Sequence, residues 1–232
     1  YPERDYWLPI IWSMGALLGG LASLYFKNVY LQATIIITFI MAAVHLLFKE
    51  GSVDIATYTP LINIRVFSFL AVVLAGVLYM NIFNYFKDLF DSANTKNIKG
   101  GFYFVISFLL LYLVSREVLD IFNKQFYSLS PEDQSAKAVS FDNQKRAALS
   151  VTWTLYSLIM LVIGIIKKSA WTRLFGVVLL SITIFKVFLY DTANLDNFYR
   201  FISYISLGLI LLLIGYLYNR YKSRITEFIK VE

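Results

Sequence analysis

Three ionisable residues lie together in a segment of the chain that is otherwise apolar. Arg116 and Asp120 are four residues apart and Glu117 lies between them, so a helix would place all three on roughly one face. A second group of ionisable residues consists of Lys186, which lies inside another apolar segment, and Asp191, which directly follows that segment. A cation beside carboxylates could form ion pairs, transfer protons or bind sugar hydroxyls and anionic groups. Ionisable groups inside a membrane are costly and usually have a role, so these residues are the main clue to function.

The elements that carry these residues are stretches of about 20 apolar residues, the length that a helix needs to cross the hydrocarbon. Of the 232 residues, 59% are hydrophobic and 16% are charged, against about 25% charged in soluble domains. We predict an all-α, polytopic transmembrane helix bundle that forms a single domain over residues 1–232. Its seven spans are predicted at about 7–26, 29–48, 61–86, 102–121, 147–166, 172–190 and 201–218.

The connections between the predicted spans are short, with one exception at residues 122–146. There the run Ser130-Pro131-Glu132-Asp133 is typical of a helix start, with an N-cap, a proline at the first helical position and acids in the first turn. We expect a short surface helix in this connection.

The distribution of basic residues predicts the orientation. Side A is the side of the N-terminus, and seven spans put the C-terminus on the opposite side B. Basic residues outnumber acids in the side B loops, whereas acids outnumber basic residues on side A. By the positive-inside rule, side B is cytoplasmic, so the N-terminus is outside.

This topology puts the ionisable residues of the spans near side A. Even-numbered spans end there and odd-numbered spans begin there, while the inner halves of the spans carry no comparable charges. The candidate substrate-binding residues are therefore His45, Asn63, Arg65, Arg116, Glu117, Asp120, Lys186, Asp191, Asp196 and Arg200.

Three interpretations of these residues stay open. They could form intramembrane salt bridges that fix helix packing, with Lys186 paired to Glu117 or Asp120. Long side chains could instead reach the interface on their own. The third interpretation is a functional pocket that opens to the outside, in which Lys186, Arg65 and Arg200 would bind an anionic group. We interpret His45 as an interfacial histidine rather than a base.

Several classes of site are excluded or disfavoured. The chain has no cysteine and one histidine, which argues against disulfides, thiolate chemistry and a histidine-based metal site. It has no nucleotide-binding, zinc-protease or serine-hydrolase motif, so we predict no cofactor and no metal, and a catalytic role is left undecided. The net charge of +6 is explained by topology, without nucleic acid. Gly15 and Gly19 form a GxxxG motif that predicts close helix packing, within the chain or by self-association.

The last third of the chain resembles a known family. Its residues are Arg146-Ala-Ala-Leu-Ser-Val-Thr-Trp-Thr-Leu-Tyr-Ser-Leu, Gly164, Arg173-Leu-Phe-Gly176, Lys186-Val-Phe-Leu-Tyr-Asp191 and Leu195-Asp196-Asn-Phe-Tyr199-Arg200. They are similar to the bacterial multi-spanning membrane-protein family catalogued as domain of unknown function 2339, and the segment from Leu61 to Arg65 resembles a further element of it. The resemblance implies that Lys186, Asp191, Asp196 and Arg200 belong to the family's most recognisable element. Members are usually longer, so we expect this chain to be a C-terminal portion or a short relative.

These observations support three hypotheses of function. The first is transport or handling of an envelope-related substrate in the bacterial inner membrane, through a pocket that opens to side A. The second is a scaffold or assembly subunit in which the charges only fix packing against other helices and partners. The third is a membrane-embedded enzyme with Glu117, Asp120 or Asp191 as general acid or base. In every case the lipid bilayer surrounds the chain.

Overall fold

The computed structural model describes residues 4–26, 28–48, 55, 57–83 and 92–191, together with 205, 208, 212 and 216. Over these residues the protein contains six long helices and no strand. The helices are α1 (Arg4–Phe26), α2 (Val29–Phe48), α3 (Ile64–Phe83), α4 (Ser92–Tyr127), α5 (Pro131–Ile166) and α6 (Ala170–Leu189).

All six helices are long and apolar enough to cross a membrane, which confirms the predicted helical membrane fold. The helices α1 and α2 match the first two predicted spans, with one described residue, Asn28, between them. The third begins later than predicted because Asn63 caps it by accepting a hydrogen bond from Val66 N at 3.0 Å. The seventh predicted span, 201–218, lies outside the described residues except at the four single positions given above.

The connection predicted at 122–146 differs from the structure. The helix α4 continues to Tyr127, and α5 begins only a few residues later, at Pro131. The predicted N-cap is correct, since Ser130 Oγ accepts from Asp133 N at 3.2 Å. The predicted short helix is wrong, because α5 continues without a break to Ile166. No glycine or further proline interrupts its first 30 residues or so, and the ion pairs Asp133–Lys137 and Asp142–Arg146 support the polar turns.

The chain, interpreted above as one domain, divides into two compact units, Tyr1–Phe141 and Asp142–Glu232. In the first unit, a core of aromatic and aliphatic side chains from α1 to α4 includes Phe39, Phe69, Phe83 and Leu109. Phe39 packs directly on Gly76, where an added Cβ would lie 2.7 Å from its Cζ. This close contact requires a residue without a side chain at position 76.

In the second unit, α5 and α6 form an antiparallel hairpin in close contact. A Cβ at Gly164 would lie 2.7 Å from Arg173 N, and a Cβ at Gly176 would lie 3.0 Å from Leu161 N. Both glycines therefore let one backbone approach the other. The turn is a Schellman-type cap, in which Ser169 N donates to Gly164 O and Lys168 adopts a left-handed φ of 50°.

Candidate functional site

Arg65 is the centre of an ion-pair network in the first unit. It lies in the first turn of α3, and its Nη1 donates to Asp120 Oδ2 while its Nη2 donates to Glu117 Oε1, both at 2.5 Å. Glu117 and Asp120 are three residues apart on α4, so both carboxylates face the same guanidinium. The side chains of Arg65, Glu117 and Asp120 are 3%, 5% and 10% exposed. The network therefore joins α3 to α4 with almost no access to solvent.

The segment before α3 supplies the remaining donors to Glu117. Its Oε2 accepts from Tyr58 Oη at 2.8 Å and from Leu61 N at 2.9 Å, and its Oε1 also accepts from Asn63 Nδ2 at 3.0 Å. Leu61 has a φ of 63°, a left-handed conformation that is strained for leucine. With these three donors and Arg65, the Glu117 carboxylate is saturated.

Tyr58 is part of this network and was not predicted from the sequence. Its side chain is 1% exposed, and Lys124 Nζ donates to its carbonyl at 2.7 Å. Burial raises the pKa of the Tyr58 hydroxyl above its ordinary value of 10.0, and the hydrogen bond to Glu117 raises it further. The hydroxyl therefore stays protonated and donates to Glu117 throughout the neutral range.

Two predicted residues near this end of the first unit lie outside the network. Arg116 is half-buried and has no ion-pair partner among the described residues. The His45 ring makes an edge contact with Trp12, with 5.5 Å between centroids. In the part of the chain that the structure describes, the buried His45 Nδ1 has no hydrogen-bond partner. Within the described ranges, neither residue contacts a carboxylate that would make it part of a proton relay.

A buried polar cluster joins α1, α2 and α3 near their other ends. Tyr79 Oη donates to Gln32 Oε1, and Gln32 Nε2 donates to Ser23 Oγ at 2.6 Å. The two glycines of the nearby GxxxG motif differ in how closely other residues pack against them. A Cβ at Gly19 would lie 3.3 Å from Ile35, whereas a Cβ at Gly15 would meet no atom of the described residues within 4 Å. Gly19 therefore serves packing within the chain.

Lys186 is the centre of a separate cluster in the second unit. Its Nζ donates to Asp191 Oδ1 at 2.8 Å, to Ser150 Oγ at 2.7 Å and to Arg146 O at 3.2 Å. Ser150 Oγ in turn donates to Asp191 Oδ2. The Lys186 and Asp191 side chains are 20% and 15% exposed. This cluster joins α5 to the end of α6.

A cavity of about 390 Å³ adjoins this cluster. Its polar wall contains Ser150 and Asp191, with Arg146 and Asn143 on the same helix as Ser150. The apolar part of its wall is formed by Ala147, Val151 and Val187. The cavity thus combines hydrogen-bonding groups with an apolar wall, as ligand sites usually do.

The arrangement does not activate Ser150 as a nucleophile. A serine is activated by an adjacent base that has no cation partner. Lys186 donates to Ser150 and to both carboxylate oxygens of Asp191, so the carboxylate that accepts from Ser150 is already paired with a cation. Ser150 is therefore a hydrogen-bonding member of the ion-pair cluster.

Ser150 and Arg146 were not predicted from the sequence as site residues. The available signal was their spacing of four residues, which places both on one face of α5. The prediction that Lys186 pairs with Glu117 or Asp120 was wrong, because those carboxylates bind Arg65 and Lys186 binds Asp191. Asp196 and Arg200 lie outside the described residues.

One comparison with known proteins identifies a family. The model of the family described as "Predicted membrane protein", domain of unknown function 2339, matches residues 5–221. The match includes the residues that carried the resemblance and extends over most of the chain. Comparison with curated proteins and with solved structures finds no match.

Proposed function

Since the chain belongs to the family of predicted membrane proteins with domain of unknown function 2339, we propose that it handles an envelope-related substrate within the bacterial inner membrane. The substrate binds in the cavity of the second unit, and transport or transfer of that substrate is the purpose of binding. The charge distribution predicts that this cavity opens to the outside.

The observation that carries the proposal is the cavity of about 390 Å³ beside a half-buried, hydrogen-bonded ion pair. Lys186 and Asp191 keep part of their surface accessible, so a substrate could contact them without unfolding the hairpin. Ser150 and Arg146 add a hydroxyl and a guanidinium to the same site. A cluster that served packing alone would not need an adjoining cavity of this size.

The network of Arg65, Glu117 and Asp120 has a structural role in this proposal. Its charges are nearly inaccessible and pair with one another, as expected for groups that fix the register of two helices. Asn63 and Tyr58 extend the same role to the segment before α3.

The enzyme alternative has less support. A general acid or base in this membrane would be a carboxylate free of a cation partner, but Glu117, Asp120 and Asp191 each form an ion pair. The scaffold alternative has only the network of the first unit in its favour and leaves the cavity of the second unit without a role.

Cysteine accessibility tests the proposal, since the native chain has no cysteine. Ser150→Cys places a thiol in the cavity wall and leaves the Lys186–Asp191 ion pair in place. Ser157→Cys is the matched control, because Ser157 lies two turns along the same helix and is 0% exposed. We expect a small membrane-impermeant methanethiosulfonate, added to intact cells, to modify Ser150→Cys at least tenfold faster than Ser157→Cys.

Equal, slow modification of both variants would mean that water does not reach the cavity, and the proposal would fail. Modification of Ser150→Cys only in inside-out vesicles would contradict the outward orientation. In that case the substrate would have to reach the cavity from the cytoplasm.

A further inference from the structure

We propose that the ligand of the cavity is a lipid phosphate, that is, a phosphate ester carried on apolar chains, with Arg146 binding the phosphate. This inference rests on the proposed function and adds the chemical class of the substrate. It follows from the depth of Arg146, the arrangement of its guanidinium and the division of the cavity wall into polar and apolar parts.

The depth of Arg146 matches the position of a lipid phosphate. The helix α5 has 36 residues, and at a rise of about 1.5 Å per residue it is about 54 Å long, far more than the hydrocarbon thickness of about 30 Å. Its first half, up to Arg146, is polar and rich in charges, whereas residues 147–166 contain no charged residue and are long enough to span the hydrocarbon. Arg146 is therefore the residue at the interface, where phosphate groups lie.

The guanidinium of Arg146 is held in place by its neighbours and keeps hydrogen-bond donors for a ligand. Its Nε and Nη2 both bind Asp142 Oδ2 at 2.8 Å, and its Cζ lies 5.8 Å from the centre of the Tyr190 ring. No described residue accepts a hydrogen bond from its Nη1. A planar guanidinium that is already oriented loses little entropy when it binds phosphate oxygens.

The other charges at the cavity favour an anion over a cation. Both oxygens of Asp191 already accept from Lys186, and Oδ2 also accepts from Ser150. A cationic ligand would have to displace Lys186 from this carboxylate. Among the residues that the structure describes, an anion on Arg146 competes only with Asp142, whose side chain is 54% exposed and can be hydrated instead.

The apolar part of the cavity wall is the reason to expect a ligand that carries apolar chains. The apolar residues of the cavity wall are Ala147 and Val151 on α5 and Val187 on α6. Along each helix they lie closer to the middle of the predicted span than Arg146 does. Val151 is 59% exposed, so this part of the cavity is continuous with the surface that α5 presents to lipid. A phosphate at Arg146 would then direct its chains along Val151 into the bilayer.

The test uses the full chain in a neutral detergent and three probes, with binding measured by native mass spectrometry. Dihexanoyl phosphatidic acid carries both chemical features, dihexanoylglycerol carries the chains alone, and inorganic phosphate carries the anion alone. Arg146→Gln removes the guanidinium, and Lys145→Gln removes the neighbouring positive charge as a matched control. We expect Arg146→Gln to weaken phosphatidic acid binding about tenfold or more, Lys145→Gln to change it less than about threefold, and Arg146→Lys to fall between.

The probes also separate the possible failures. If phosphatidic acid and dihexanoylglycerol bind equally and Arg146→Gln alters neither, the phosphate assignment is overturned. If inorganic phosphate binds as tightly as phosphatidic acid, the apolar chains have no role and the lipid assignment is overturned. Either result together with rapid modification of Ser150→Cys would leave the proposed function standing, whereas slow modification of that thiol would remove the site itself.

Discussion

The two ion-pair clusters of this protein have similar chemistry but different access to solvent. Arg65 and its two carboxylates are at most 10% exposed, and the segment from Tyr58 to Asn63 supplies further donors to Glu117. Lys186 and Asp191 are 20% and 15% exposed and adjoin a cavity. A buried ion pair is held by the surrounding packing, whereas a partly exposed pair beside a cavity can exchange partners. This difference motivates our proposal that the first cluster serves packing and the second serves binding.

Removing the central cation of each cluster should have the largest effect on the free energy of unfolding, and the two clusters should differ most in this test. Arg65→Ala leaves two carboxylates buried without a counter-charge, and we expect a loss of about 3–5 kcal/mol in the free energy of unfolding. Lys186→Met leaves Asp191 with Ser150 and access to water, so we expect a loss of no more than about 1–3 kcal/mol. Unfolding in mixed micelles with increasing dodecyl sulfate measures both.

A triple variant sharpens this result. When Arg65→Met, Glu117→Met and Asp120→Leu are combined, no charge of this cluster remains buried, but Tyr58, Leu61 and Asn63 lose their acceptor, so only part of the stability lost in Arg65→Ala should return. The triple variant should also keep the lipid phosphate binding of the second unit. Loss of that binding in a folded triple variant would show that the first cluster takes part in function.

Tyr58→Phe tests the closed cluster alone, with a smaller effect. It removes a hydrogen bond to a carboxylate, which contributes about 1.5–3 kcal/mol. It should also change the response to alkaline pH. Because the pKa of Tyr58 is raised in the folded state above 10.0, its contribution is fully present below pH 10 and is lost as the pH rises above that value.

The measurement is the free energy of unfolding between pH 8 and pH 11 for the native chain and Tyr58→Phe. The decline above pH 10 should be shallower in the variant. Parallel curves would mean that the Tyr58 hydroxyl titrates like an exposed phenol, contrary to its burial.

The smallest expected effects are gains in stability when two residues with a strained backbone, one in each unit, are replaced by glycine. Leu61 and Lys168 have φ values of 63° and 50°, which cost an L-residue about 1–2 kcal/mol. After the entropy cost of glycine, Leu61→Gly and Lys168→Gly should each stabilise by about 0.5–1 kcal/mol. Ile62→Gly is the control, since Ile62 is as exposed as Leu61 but has no positive φ. Thermal unfolding in detergent would detect a gain, and an equal response at Ile62 would rule out relief of strain as its cause.

Hydropathy and charge placement were enough to predict the helical membrane fold and to select most of the cluster residues. The spans follow from local composition, because crossing the hydrocarbon requires a continuous apolar stretch. Asn63, Arg65, Glu117 and Asp120 do meet, as expected of spans that alternate in direction. The break expected between Pro131 and the fifth span was wrong, since polarity marks the edge of the membrane and does not end a helix.

What the sequence determined by itself is the set of apolar helices and the ionisable residues near their ends, since both depend on residues close together in the chain. Only the tertiary structure decided which charges pair. Arg65 binds carboxylates more than 50 residues away, and Ser150 reaches Lys186 because Gly164 and Gly176 bring two helices into contact. Pairing and cavity volume depend on distances between helices, which no single segment of sequence specifies.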